Sequence, residues 1–210
     1  FSPEFLKLNP FGQVPVLVHD GRVLTETGFI LQYLDAVFPA VPLTPPTAEG
    51  RYWANVWIKY VEEYLAPAAW RLGAAGIAAG VKPELKAALD RAPPERRQAW
   101  KKALGGFDPI ELEIARGLLP VRLERMEEAL GRAEWLAGDR YSLADVVVFP
   151  TAAALTGVAP DLVNGRATPA VMAWLERMRA RPAVQAALAM CRTGRPEQTF
   201  APGPEGSRWG

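Results

Sequence analysis

The sequence has 210 residues, which is long enough for one large domain or two small domains with a hydrophobic core. Its formal net charge of +1, with 22% charged residues, gives no electrostatic reason to expect nucleic-acid binding or disorder. One cysteine and one histidine exclude a disulfide framework and a zinc or iron–sulfur ligand set, and no apolar run is long enough to cross a bilayer.

The first 42 residues indicate mixed α and β structure. Val14–Val18 and Arg22–Leu24 are short apolar runs, and the Asp20-Gly21 pair between them is typical of a hairpin turn. From Thr25 the apolar residues recur at helical spacing until Pro39. Because a two-stranded hairpin alone is marginal in water, we expect these strands to join a larger sheet whose other strands lie ahead of position 1.

A proline-rich segment, residues 39–50, is the predicted domain boundary. It carries four prolines and no helical period, which is typical of a stiff connection. We therefore predict a partial α/β domain over residues 1–42 and an all-helical domain over residues 43–192. Residues 193–210, which are rich in proline and glycine, are predicted to be a mobile tail.

The second domain is predicted to be built of five or six helices. One long helix begins near Glu49, and Pro83, Pro93 and Pro94 punctuate a charged region of short helices or loops after it. The remaining helices are expected over Pro109–Gly131, Ser142–Leu155, Thr168–Ala180 and Arg181–Met190.

Residues 9–17, NPFGQVPVL, followed by the Glu26-Thr27 pair at a helix start, resemble the glutathione-binding half of cytosolic glutathione S-transferases. Tyr141-Ser142-Leu143-Ala144-Asp145 resembles the capping signature of their helical domain. The resemblance covers nearly the whole chain. It implies an incomplete thioredoxin-like domain followed by an all-α domain.

The resemblance also implies which residues bind glutathione. In this family the bond before the matching proline, here Val14–Pro15, is cis, so that an extended peptide can pair with the backbone of Val14. Thr27 and the helix N-terminus are expected to hold the γ-glutamyl carboxylate, while Glu26 faces its ammonium. Gln13 matches a position that contacts the glycyl end.

Simpler readings exist for some of these residues. Thr at a helix start is most often only a cap, and Glu in a first turn often only complements the helix dipole. Ser142 and Asp145 are predicted to form a capping box that serves folding rather than catalysis. Tyr60, Tyr64 and Trp70, on or near the aromatic face of the long helix, are candidates for the substrate pocket. Core packing or a subunit interface are the alternatives for that face.

The function that the resemblance implies is transfer of the glutathione thiolate to a hydrophobic, aromatic electrophile. The chain looks most like the bacterial branch that contains β-aryl ether-cleaving enzymes. The thiol-activating residue is expected ahead of Phe1, so no catalytic residue is assigned. We therefore expect residues 1–210 alone to bind glutathione poorly. The alternative is a binding or interaction module with this fold that has lost catalysis. A homodimer in the cytoplasm, without nucleic-acid or membrane partners, is expected.

Overall fold

The computed structural model describes residues 1–74 and 83–191. A short helix and a two-stranded antiparallel sheet come first, and the rest of the described chain is helical. This confirms the predicted combination of a small α/β part and an all-α part. The two predicted domain limits, at residues 42 and 192, stay predictions. The predicted tail and most of the Gly- and Ala-rich segment at 73–80 lie outside the described residues.

The N-terminal part consists of α1 (Pro3–Leu8), β1 (Val16–His19), β2 (Arg22–Thr25) and α2 (Thr27–Val37). The strands pair from Val16↔Thr25 to His19↔Arg22. Asp20 and Gly21 both have positive φ, at 48° and 74°, which is the backbone of a tight hairpin turn. The predicted hairpin is therefore confirmed. The first strand begins after Pro15, since proline has no N–H to donate to the ladder.

The connection from α2 to the helical part is fixed by Asp35. Its carboxylate accepts the backbone N–H groups of Leu43 and Thr44 at 2.7 and 2.9 Å. The Leu43 carbonyl in turn accepts the N–H of Leu143 at 3.2 Å. This proline-rich connection is therefore tied to both parts of the structure.

The long helix of the second part combines α3 (Ala48–Tyr60), a π-helical segment (Val61–Leu65) and α4 (Ala66–Ala74). Arg122 donates to the Tyr64 carbonyl within the π-helical segment at 2.8 Å. α5 (Pro83–Asp90) and α6 (Pro94–Gly105) follow, and α6 packs against α4. The charged region around Pro93 is thus helical on both sides of that proline.

The helix predicted over residues 109–131 is two helices, α7 (Pro109–Gly117) and α8 (Leu119–Arg132). The prediction of one continuous helix was wrong. Pro120 has no N–H to donate to the carbonyl one turn earlier, so a new helix begins there. The signal was present in the sequence as a proline inside an otherwise helical pattern.

The last three helices are α9 (Leu143–Val158), α10 (Pro169–Ala180) and α11 (Pro182–Ala189), close to their predicted limits. α9 is at the centre of the core, with ten of its residues buried. It packs against α2, α3, α4 and α10. Within residues 1–74 and 83–191, no helix has both the length and the apolar composition that a bilayer crossing needs.

Candidate functional site

The loop ahead of β1 is shaped by the side chain of Asn9, which is only 4% exposed. Its Nδ2 donates to the Gln13 carbonyl at 2.8 Å, and its Oδ1 accepts the Phe11 N–H at 3.1 Å. The Asn9 carbonyl accepts the N–H of Gly12 at 2.9 Å. One buried amide therefore holds the loop compact and leaves the Gln13 side chain exposed.

The peptide bond between Val14 and Pro15 is cis, as the resemblance implied. Val14 is 78% exposed. The strand ladder begins at Val16, so the backbone N–H and C=O of Val14 lie ahead of it. An extended peptide could pair with these groups in the manner of an added strand.

Glu26 and Thr27 lie at the start of α2. Glu26 occupies the N-cap position with φ 68° and forms no side-chain cap hydrogen bond, while Thr27 is the first helical residue. Such a φ is unusual for a residue other than glycine, and residues held this way concentrate at functional sites. The first intrahelical bond runs from Ile30 to the Glu26 carbonyl. The N–H groups of residues 27–29 therefore precede the ladder and can attract an anion.

These two segments meet at one cavity of about 180 Å³. Its lining contains all five residues that the sequence assigned to glutathione and two more: Asn9, Gln13, Val14, Pro15, Glu26, Thr27 and Arg96. The cavity is smaller than the roughly 300–1,000 Å³ typical of sites that enclose a drug-sized ligand. It can therefore surround part of a tripeptide while the rest lies in the open.

Arg96, from α6, was missed at the sequence level. The segment that carries it reaches the motif loop through Pro93: a Cβ added at Gly12 would lie 3.2 Å from the Pro93 Cδ. Gly12 has φ +64°, and an added Cβ would also lie only 2.7 Å from the Phe1 ring, so the missing side chain permits the approach of both residues. The sequence alone did not single out Arg96, because it lies in a charged, proline-interrupted region whose arginines have no distinguishing pattern.

The charges in the cavity fit a peptide with free termini. Glu26 contributes a carboxylate, Arg96 a guanidinium, and the start of α2 a set of free N–H groups with a positive dipole end. No ion pair joins Glu26 to Arg96 in the described structure, so both charges are available to a ligand. Glutathione carries one ammonium and two carboxylates, and these residues therefore fit it.

The three predicted substrate residues lie elsewhere. Tyr60 is 8% exposed, and its hydroxyl donates to the Arg122 carbonyl at 2.9 Å. Burial raises the pKa of Tyr60. Tyr64 is 45% exposed, whereas Trp70 packs edge-on against Trp100 with ring centroids 5.5 Å apart. None of the three lines the cavity of Glu26 and Thr27, and their substrate role stays a prediction.

The predicted capping box at Ser142 and Asp145 is confirmed. Asp145 is fully buried and accepts four hydrogen bonds: from the backbone and hydroxyl of Ser142, from the Leu136 N–H and from the Trp174 indole. Burial raises the pKa of Asp145, and these hydrogen bonds oppose that rise. Every acceptor site of the carboxylate is used by the protein itself, which is the arrangement of a structural group.

His19 also lies away from the cavity. The His19 ring and the Tyr33 hydroxyl form a hydrogen bond of 2.8 Å, so this histidine has a structural partner.

Over the described ranges, no group of three or more His, Cys, Asp or Glu side chains is placed to hold a metal ion.

Comparison with known proteins agrees with this geometry. Residues 1–36 match the family model of the glutathione S-transferase N-terminal domain, and residues 93–182 match that of the C-terminal domain. Protein LigF of Sphingobium sp. (strain NBRC 103272 / SYK-6) is 37% identical over 199 residues, covering 88% of this chain and 76% of LigF. The chain belongs to the glutathione S-transferase family.

Solved structures extend the comparison within the glutathione S-transferases. The crystal structure of the β-etherase LigF matches with a TM-score of 0.81 at 36% identity, covering 90% of this chain and 82% of that one. A glutathione transferase from Burkholderia graminis, with two glutathione molecules bound per subunit, matches with a TM-score of 0.64 at 28% identity. That match covers 88% of this chain and 70% of the other.

Proposed function

We propose that this chain binds glutathione in the cavity between the Gln13–Pro15 loop and the start of α2, and that it transfers the thiolate to a hydrophobic aromatic electrophile. The observation that supports this most is the convergence of Gln13, Val14, Pro15, Glu26 and Thr27 on one cavity. They come from two segments of the chain, and their chemistry complements a peptide with free termini.

Each binding residue has a role set by its position. The Thr27 hydroxyl and the free N–H groups at the start of α2 hold the γ-glutamyl carboxylate, because donors and the positive helix end converge there. Glu26 faces the ammonium of the same residue. The backbone of Val14 pairs with the cysteinyl residue, which fixes the direction of its sulfur.

The reaction requires the thiolate, since a thiol with a pKa near about 8.5 is mostly protonated at neutral pH. The role proposed for these residues is to hold the glutathione sulfur beside the electrophile, so that the two reacting groups meet in a fixed geometry. We assign thiolate stabilisation to none of residues 1–210, and the roles proposed here are limited to binding and positioning.

The acceptor that we favour is an aryl ether. The thiolate attacks the carbon that carries the aryloxy group; a C–S bond forms, the C–O bond breaks, and the phenolate leaves and takes a proton from water. LigF, which is named a β-etherase, supports this acceptor by its similarity to the chain. Tyr60, Tyr64 and Trp70 remain the candidate acceptor residues, and Tyr64 is the most exposed of the three.

The proposal also includes the setting of the reaction. A reducing cytoplasm, where glutathione is abundant, suits a chain with a single cysteine. We propose a homodimer, to which the exposed rings of Phe29, Tyr52 and Trp53 could contribute apolar surface. Light scattering after size exclusion measures the mass of the assembly directly.

The test combines binding with turnover. Calorimetry and NMR titration measure glutathione binding, and a generic aryl halide and a β-aryl ether dimer measure thioether formation and phenol release. We expect saturable but weak binding of glutathione to residues 1–210 alone, with phenol released from the ether in equal amount to the thioether formed. Binding without turnover on either electrophile would instead favour a non-catalytic binding module. Absence of saturable binding at millimolar glutathione would contradict the proposal.

A further inference from the structure

Arg96 differs from the other arginines whose Nε atoms are buried. The Nε atoms of Arg96, Arg97, Arg177 and Arg181 all have no hydrogen-bond partner in the described structure. However, Arg97 and Arg177 donate through their terminal nitrogens to backbone carbonyls, and the Arg181 guanidinium stacks over the Tyr141 ring at 3.5 Å. The Arg96 side chain has no hydrogen bond, ion pair or ring contact with any residue that the structure describes.

The charge on Arg96 is also uncompensated. Burial alone lowers its pKa, and no acidic side chain acts in the opposite direction. Arg96 is half-buried, with its Nε out of contact with water and without a partner. Partial removal of an unpaired guanidinium from water is unfavourable, so an anion that enters the cavity would gain from pairing with it. Since Arg96 lines the cavity together with Gln13 and Thr27, a ligand in that cavity is in position to supply the anion.

The position of Arg96 selects one end of the ligand. Its helix begins beside Pro93, which approaches Gly12 and therefore the Gln13 end of the cavity. The opposite end is the start of α2, which already offers a hydroxyl and free N–H groups to one carboxylate. Arg96 is the one positively charged side chain among the cavity's lining residues, so it is the group left for the second carboxylate of the tripeptide, on its glycine.

We propose that Arg96 binds the glycyl carboxylate of glutathione, so that the helical part of the chain supplies a specificity-determining residue for the tripeptide. This inference rests on the proposed glutathione site. A guanidinium can form two parallel hydrogen bonds with a carboxylate, which fixes its orientation as well as its charge. The ligand then bridges α2 and α6, and its binding joins the two parts of the fold.

The test compares two ligands on five proteins. Glutathione and its glycyl monoethyl ester, in which an uncharged ethyl ester replaces that carboxylate, are titrated by calorimetry or NMR into the unmodified chain and into Arg96→Gln, Arg96→Lys, Thr27→Ala and Lys101→Gln. Lys101 is the matched control, because it is an exposed cation on the same helix and does not line the cavity. Since Arg96 has no hydrogen-bond or ion-pair partner among residues 1–74 and 83–191, Arg96→Gln is expected to fold, which circular dichroism verifies.

We expect the unmodified chain to bind glutathione about tenfold or more tightly than the ester, since a charge-assisted pair is lost with the ester. In Arg96→Gln the two ligands should bind equally, and Arg96→Lys should recover part of the difference. Lys101→Gln should keep the difference in full. Thr27→Ala should weaken both ligands by the same factor, because it acts at the other end.

Two outcomes distinguish a wrong role for Arg96 from a wrong assignment of the glutathione site. If Arg96→Gln preserves the difference between glutathione and the ester while Thr27→Ala weakens both, the glutathione site stands and the role of Arg96 is overturned. If neither ligand binds the unmodified chain saturably, the proposed function fails and this inference fails with it.

Discussion

The Asn9 side chain donates to the Gln13 carbonyl at 2.8 Å across the loop that leads to the cis peptide bond. Its other amide atom accepts the Phe11 N–H, so both ends of a nearly buried amide are used inside one short loop. The path of this loop sets where Gln13 and Val14 face the cavity. Asn9, whose side chain lies inside this loop, therefore controls the shape of a cavity that it also helps to line.

Asn9→Ala should weaken glutathione binding and also destabilise the fold. It leaves buried backbone groups without partners, an effect of about 1–3 kcal/mol in the free energy of unfolding. Urea unfolding measures the stability, and calorimetry measures the dissociation constant. The matched control is Asn164→Ala, because Asn164 bonds similarly to backbone groups of its own loop far from the cavity. Equal losses of glutathione affinity in the two variants would contradict a local role for Asn9.

Thr27→Val should reduce glutathione affinity about tenfold or more, because it removes a hydroxyl that is proposed to bond a carboxylate while keeping the branched shape. Thr27→Ser, which retains the hydroxyl, should stay within about threefold of the unmodified chain. Glu26, not Thr27, stands at the N-cap, so both variants should change the unfolding free energy by less than about 0.5 kcal/mol. A loss of stability as large as the loss of binding would show that Thr27 is only part of the helix start.

Two capping boxes within the described ranges, at α7 and α9, allow a comparison of an exposed and a buried carboxylate. Asp145→Asn places an NH₂ group where a fully buried carboxylate accepts four hydrogen bonds, so we expect a loss of about 3 kcal/mol or more in the free energy of unfolding. Asp108→Asn changes the exposed capping box of α7 and should have an effect of about 1 kcal/mol or less. Thermal unfolding of the two variants measures the difference. Similar melting temperatures would show that burial adds nothing to the Asp145 box.

Much of the local structure could be predicted because its causes are local. Three features each depend on residues a few positions apart: the turn at Asp20-Gly21, the start of β1 directly after Pro15, and the capping box at Ser142. The five residues assigned to glutathione come from two motifs separated by only ten residues. A single hairpin brings those motifs together, so the sequence was enough to place them at one site.

Other parts depend on contacts that no local pattern records. Arg96 lines a cavity whose other residues lie about seventy or more positions earlier in the chain, and Pro93, in the same segment, lies beside Gly12. The left-handed backbone of Glu26 could not be predicted, since glutamate has no preference for it. The π-helical segment likewise has no sequence signal. Within that segment, the Tyr64 carbonyl accepts a hydrogen bond from Arg122, which lies on α8.

The connection between the two parts of the fold should depend on pH through Asp35. Burial acts to raise the pKa of Asp35, but the hydrogen bonds from Leu43 and Thr44 outweigh it and lower the pKa below its usual value of 3.8. A lowered pKa in the folded state means that the ionised carboxylate stabilises the fold. This contribution is complete above the unfolded value and is lost as the pH falls through the folded one.

We therefore expect Asp35→Asn to lower the free energy of unfolding by about 1 kcal/mol at neutral pH, a modest value because Asp35 is only partly buried and water screens its charge. The difference should shrink as the pH falls below about 4, because the unmodified Asp35 then becomes neutral as well. Urea unfolding of both proteins across that range provides the measurement. Asp90→Asn, at an exposed site, is the control for general charge effects and should show no such trend. A difference between Asp35→Asn and the unmodified chain that stays constant down to about pH 2.5 would mean that the ionised carboxylate does not hold the connection.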